Sequence, residues 1–533
     1  MQVTNKAAKP ASVSLNLTAC VCVSVILLSA CSNPLQRQAA VETNLSPTRT
    51  PVPAKTSEAI SQPTPADQKA ATKSSVTAVD NTPTLTATAK PLATQFDLCS
   101  ATKPGLKATA PVLGNTPGQI VYLTTDNNIV LTDESGRTRV NVTTDAFVSA
   151  DGNAGRIYMF PTFSNDGKSL AFISMATTAD FNGITQTVHV ALAASGATLT
   201  NIYETNEFNI PYLDFSPDSE QVAFLTISGS FGAIRVVNKK GGDITVFDTG
   251  SPSYWHWRQD SSAMVTHLGG RATERGATAS IALIEAKGAT KVKRVVLDAL
   301  PGNFQSPHYS PDGTHVLYVA NTSKGSDQDE LILADAVGKP ICTLTSIKAS
   351  AFFAWSPDGS HVAVMDTSSP LNQPAAVQIY DLSDGSTKSI KEDASVFFWS
   401  PSGDKLAVYS IVTNPQFDKL GAGTSKMDSL AQSSGIAQTQ FGLRLEVIDI
   451  ASGKATRIAD TYPSRQLQQY FQYFDQYSRS LSPWSPDGKH LVFATLSPTA
   501  QTVDVAVAAI DAVANSVSVK RVAAGTIAFW SPK

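Results

Sequence analysis

No aromatic residue precedes Phe96. A stretch without aromatics cannot bury enough apolar area to offset its backbone entropy, so the first 95 residues are excluded from any packed core. Cysteine is scarce, five in 533 residues, and Cys20, Cys22 and Cys31 all fall in that opening stretch. A disulfide-dense scaffold is thereby excluded. Beyond it stand only Cys99 and Cys342, and the sequence is equally compatible with a bridge between them and with two free buried thiols. Charged residues make up 16% of the chain, with a net charge of −3 and no basic stripe, which excludes a nucleic-acid partner. No GxSxG, HExxH, P-loop or CxxC pattern occurs, so no catalytic residue, metal or cofactor is expected from a motif.

What the opening stretch does contain is an export signal. Lys6 and Lys9 precede the apolar run "VSLNLTACVCVSVILLSAC", Val13 to Cys31. Leu28-Ser29-Ala30-Cys31 resembles the lipobox of bacterial lipoprotein signal peptides. That resemblance implies cleavage after residue 30, a lipid on Cys31 and a mature net charge of −5. A plain signal peptide or an uncleaved anchor is the alternative, although Asn16, Thr18 and the serines weaken the run as a permanent span. Residues 31–95 are rich in Thr, Ala, Pro and Ser and read as a disordered tether. Residues 96–117 read as an extended lead-in to a folded body over residues 118–533.

In that body the sequence repeats. "WSPDGSHVAVMD" from Trp355 returns as "WSPDGKHLVFAT" from Trp484, "YSPDGTHVLYVA" from Tyr309 and "FSPDSEQVAFLT" from Phe215. Further copies begin at Phe163 and Trp399, a worn one at Trp257, and a last one, "WSPK", at Trp530. The mean interval is about 52 residues, which suits a four-stranded propeller blade with some long loops. Each unit has an aromatic closing one strand, a Ser-Pro-Asp-Gly turn, a second apolar strand and two more strands. "GQIVYLTTDNNIVLTDESGRTRVNVT", from Gly118, supplies strands two to four of a unit, and "TIAFWSPK" supplies a first strand. Joined, they complete a blade and remove the exposed edges of an open sheet. The fold class is therefore all-β: a propeller of eight four-stranded blades closed by its two ends. Seven is the alternative because the Trp257 unit is degenerate.

The repeat resembles that of TolB-like propellers over Gly118 to Lys533. That family's α/β domain before the propeller, and the hydrolase domain that follows related propellers in prolyl peptidases, have no counterpart here. Neither activity is carried over. Trp257, Trp355, Trp399, Trp484 and Trp530 share one repeat position, which reads as packing between neighbouring blades, with a ligand cage of tryptophans as the sharper alternative. Asp218, Asp312, Asp358 and Asp487 share another and read as caps of their own turns. His256 and His308 fall beside first strands, nearer the axial channel. "GSDQDE", Gly325 to Glu330, reads as a solvated acidic loop.

Strand parity puts the motif turns on one face and the long loops on the other. The unit from Trp399 departs furthest from the repeat, with two insertions on the long-loop face. One, Asn414 to Gln440, reads as a mobile flap. In the other, Leu467, Tyr470, Phe471, Phe474, Tyr477 and Leu481 make one face of a helix. That face either packs on its own propeller or offers Tyr470, Phe471, Phe474 and Tyr477 to a partner. The function expected is a membrane-anchored envelope protein that binds a protein or glycan through its long-loop face. An envelope enzyme acting on polysaccharide or peptide through the channel is the runner-up, and a sensor subunit a third reading. Acids, arginines and histidines in the channel would favour the enzyme.

Overall fold

In "HVAVMD" the residues Val362 to Met365 are all buried. A strand covered on both faces needs a continuous apolar run, and the second strand of each unit carries one. The computed structural model describes residues 96–533 other than 112, 151–153, 179–182, 194–198, 273–278, 286–291, 323–327, 418–440, 497–501 and 512–515. The signal segment, the tether, Cys31 and most of the expected flap lie outside the described residues.

Eight antiparallel sheets form the eight blades of a propeller. Blade 1 is the composite one. Ile120–Leu123 pairs with Ile129–Thr132 on one side and with Ile527–Trp530 on the other, in the register Ile120 to Trp530 and Leu123 to Ile527. The last strand of the chain thus closes the ring. The inner strands of blades 2 to 7 are Gly155–Phe163, Asn209–Phe215, Ser253–Trp257, His308–Tyr309, Ala351–Trp355 and Val396–Trp399. The worn Trp257 unit makes a complete four-stranded blade, which decides for eight over seven.

Two blades depart from four strands. Blade 2 gains a short edge, Phe147–Val148, paired with Arg156 and Gly155. Blade 8 has three regular strands, and its inner position is held by single bridges from Ser482 to Trp530 and from Trp484 to Leu491. Pro483 has no N–H to give a ladder there.

The lead-in is laid on the propeller. Asp97 O accepts from Thr343 N at 3.0 Å, and a short helix, Cys99–Thr102, follows. Cys99 and Cys342 are joined in a disulfide with Cα atoms 5.1 Å apart, which settles the alternative the sequence left open. The segment then bonds to blade 6 (Thr109 N to Asp358 O, 2.8 Å) and to blade 8 (Gly114 N to Pro486 O, 3.0 Å). The acidic-loop expectation is corrected for its described part. Asp329 and Glu330 belong to the strand Asp329–Asp335 and are buried. Asp329 is paired with Arg271 (2.7 Å) and accepts from Asn303 N, which compensates its burial.

Candidate functional site: an axial well on the turn face

The repeat tryptophans couple blade to blade. The indole N–H of Trp355 donates to His308 O at 3.4 Å, that of Trp399 to Ala354 O at 3.1 Å, and that of Trp484 to Phe398 O at 3.1 Å. Each acceptor is the residue before the anchor aromatic of the preceding blade. Trp257 instead donates to the carboxylate of Asp214, at 3.3 Å. Trp530 breaks the pattern. Its indole nitrogen is buried without a partner. The turn aspartates Asp218, Asp312, Asp358 and Asp487 accept the hydroxyl of the serine two residues earlier and the backbone N–H two residues later.

The helical insert between blades 7 and 8 fills the channel. It comprises Arg465–Gln472, capped by Ser464 Oγ accepting from Leu467 N, and Phe474–Tyr477. Tyr470, Phe471, Phe474 and Tyr477 are 2%, 2%, 1% and 5% exposed. The expectation of an exposed docking stripe is corrected: these aromatics form the channel's core. Tyr470 packs on Phe529 of blade 1, Tyr477 stacks on Phe160 of blade 2 and meets Tyr212 of blade 3 edge-on. Phe474 packs on Phe352 and Phe397 of blades 6 and 7, and Phe471 on Phe398 and Tyr409. Blade 2 bends to meet the insert. Its inner strand shifts register between Met159 and Thr162, Phe160 takes a φ of +54°, and Phe160 N donates to Tyr470 Oη at 3.1 Å.

Gln476 is the polar clamp. Its side chain accepts from Trp255 N (3.3 Å) and Ser306 Oγ (3.1 Å) and donates to Trp255 O (3.2 Å), so it holds blades 4 and 5 at once. Beside it Asp475 accepts from Ser306 N at 3.0 Å, and His308 Nε2 donates to Asp475 O at 3.2 Å.

Beneath the insert, on the face of the motif turns, a well of about 350 Å³ remains open. Its wall includes the repeat aromatics Phe215, Trp257, Tyr309, Trp355 and Trp399. Its polar lining includes Asp214, His256, His308 and, from the end of the insert, Ser478, Arg479 and Ser480. Arg479 Nη2 donates to Trp255 O at 2.6 Å, and its Nε is buried without a partner. Among the described residues no carboxylate lies within ion-pair distance of this guanidinium. Burial raises Asp214 to about 6, against the pull of Arg479 and of the Trp255 and Trp257 indoles. Asp475 is likewise raised by burial to about 6. Burial, reinforced by Arg479, holds His256 and His308 well below the usual imidazole range. His256 Nδ1 accepts from Tyr309 N at 3.3 Å, so the neutral ring carries its proton on Nε2.

The sequence reading placed His256 and His308 near the channel and missed Asp214, Gln476 and Arg479. A signal for Asp214 was present. The residue before each anchor aromatic is Asp214, His256, His308 and Ala354 in blades 3 to 6, and all four line the well. One other hydrogen-bonded set resembles catalytic machinery. Ser174 Oγ, His189 and Asn201 are linked at 2.7 and 2.8 Å. Ser174 is 5% exposed and His189 is covered by Phe172 and Tyr158, so the set serves as packing within blade 2. Among the described residues there is no group of three or more His, Cys, Asp or Glu arranged to hold a metal ion.

No protein-family profile and no curated protein matches the chain. Solved β-propellers do. TolB from Acinetobacter baumannii is 18% identical, with a TM-score of 0.32 over 51% of this chain and 63% of that one, so less than two thirds of its length is spanned. An oligogalacturonate lyase in complex with manganese is 13% identical, with a TM-score of 0.42 over 76% of this chain and 98% of that one. The β-propeller domain of the Trilobed protease from Pyrococcus furiosus is 14% identical, with a TM-score of 0.36 over 65% and 97%.

Proposed function

We propose that the chain is a ligand-binding propeller of the cell envelope, held at a membrane by a lipid on Cys31, and that it takes the end of a glycan in the axial well of its turn face. One observation carries the reading. The insert closes the channel from within, and what remains is a blind well of about 350 Å³ with aromatic walls and a polar floor. Serine hydroxyls, an arginine, a carboxylate and an imidazole supply the donors and acceptors that sugar hydroxyls need. The lipobox resemblance and the tether composition support the anchored placement.

The test is a binding screen of the mature protein against envelope saccharides, with Ser480→Trp as the variant that fills the well floor. Binding should vanish in Ser480→Trp while the melting temperature holds. Undiminished binding by that variant would move the site elsewhere. Lipid labelling that survives Cys31→Ala would remove the anchor from the proposal.

A second reading, an enzyme, is favoured by the acid–base groups gathered round Arg479: Asp214, Asp475, His256 and His308. Mass spectrometry of ligands recovered after incubation separates the two, since a binder returns them unchanged.

A further inference from the structure

Among the described residues Arg479 is the one cation that lines the well, and its charge is incompletely answered. Its Nη2 is spent on a neutral carbonyl, Trp255 O, and its Nε has no partner. The acids whose charge reaches it, Asp214 and Asp475, form no ion pair with it. Asp214 accepts from the indoles of Trp255 (3.0 Å) and Trp257 (3.3 Å), and Asp475 accepts from Ser306 N while its Oδ1 is buried without a partner. The imidazoles beside it, His256 and His308, are neutral. A guanidinium at the base of a low-dielectric well, with no ion pair of its own, favours an anionic group on whatever enters. Its planar N–H donors suit a carboxylate.

We infer that the well selects a saccharide bearing a carboxylate, and that Arg479 is the residue that reads it. This rests on the glycan reading above. A sugar acid is favoured over a peptide terminus because the polar lining also includes the carboxylate of Asp214 and the serines Ser310, Ser478, Ser480 and Ser482. An acceptor and several hydroxyls beside one guanidinium suit a ring of hydroxyls with one acidic substituent.

The groups that face Arg479 also give the selection a pH signature. Asp214 from blade 3 and Asp475 from the insert are both raised to about 6, while His256 from blade 4 and His308 from blade 5 stay neutral above the range of their depressed values. Lowering the pH from 7.5 to 5 removes negative charge beside Arg479 and leaves a ligand carboxylate ionised. Affinity for an acidic sugar therefore rises, and that for a neutral sugar does not.

Calorimetric titration of the full mature chain in detergent micelles tests this with three probes. They are a disaccharide ending in glucuronic acid, its counterpart ending in glucose, and N-acetylglycine as a carboxylate without a ring. The acidic disaccharide should bind about 10- to 100-fold tighter than the neutral one, the range of a charge-assisted hydrogen-bond pair. Arg479→Gln should abolish that ratio, and Arg479→Lys should retain part of it even if the Gln variant proves unstable. The ratio should grow at pH 5. Equal binding of the two sugars, both lost in Ser480→Trp, would overturn the carboxylate selection and leave the glycan reading standing. N-acetylglycine binding as tightly as the acidic sugar would overturn the saccharide. Failure of both disaccharides to bind would overturn both readings.

Discussion

Ser219 and Ser261 occupy the turn position that holds glycine in most repeats, and both adopt positive φ, +65° and +59°. A side chain there costs about 1 kcal/mol relative to glycine. Each serine also does what glycine cannot. Ser219 Oγ accepts from Asp166 N of blade 2 at 3.0 Å, and Ser261 Oγ accepts from Asp218 N of blade 3 at 2.9 Å. The strain is offset by a bond to the preceding blade. Ser219→Ala should therefore destabilise by about 1 kcal/mol, because it keeps the strain and loses the bond, whereas Ser219→Gly should be near neutral. Denaturant melts of the two variants decide it; a Ser219→Ala variant as stable as the parent would mean the hydroxyl contributes nothing. Asp475 gives a second test at this scale. Its folded pKa, about 6, lies above the unfolded value near 3.9, so the folded state takes the proton first. Stability owed to this group rises as pH falls through 6 and levels off near 4. Asp475→Asn should then stabilise by about 2–3 kcal/mol at pH 7.5, and the gain should shrink to nothing near pH 4. A gain that stays constant with pH would show that ionisation is not its source.

The helical insert is the element that decides how the channel is used. It enters between blades 7 and 8, and its aromatics replace the water or ligand that an open channel would hold. Removing its clamp should be costly. Gln476→Ala leaves the Trp255 N–H and the Ser306 hydroxyl without their partner in a closed interior, and leaves the Trp255 C=O to Arg479 alone. A loss of about 2–4 kcal/mol is expected, and Phe474→Ala should cost about 3–5 kcal/mol through its cavity. Melts of both variants check this, and an unchanged midpoint in either would detach the insert from the stability of the ring. The same element builds the well. Arg479 follows its last turn, so its place in the well is set by packing on the inner strands of blades 1 to 7 rather than by the repeat.

At the scale of the molecule, stability depends on closure. Ile527–Trp530 is the inner strand of blade 1, held to Ile120–Leu123 in a four-residue register, with Trp530 and Phe529 buried. Deleting Phe529–Lys533 uncovers one edge of Ile120–Leu123 and removes a buried tryptophan. The loss should be cooperative and exceed the ~3–5 kcal/mol of the tryptophan alone. Differential scanning calorimetry should show one transition at lower temperature, and an unchanged melt would mean that the ring does not need its last strand. The Cys99–Cys342 bridge adds a second long-range tie, fastening the lead-in to the outer strand of blade 5.

The repeat was legible because every blade needs the same turn and the same buried aromatic, and those needs recur in the sequence at a readable interval. Blade count, closure of the two ends and the helical character of the insert follow from that local periodicity. The direction of the insert's apolar face did not. A 3.6-residue period states that Tyr470, Phe471, Phe474 and Tyr477 share a side, and an exposed stripe and a channel core look the same along the chain. The well was hidden for the same reason. Asp214, His256, His308 and Arg479 are contributed by three blades and the insert, and up to 265 positions separate them in the chain. Ring closure alone brings them to one place, because a propeller converges its inner strands on an axis that no stretch of sequence contains. The sequence by itself determined the unit and its repetition; the tertiary structure decided which end of the channel is filled and which is left open.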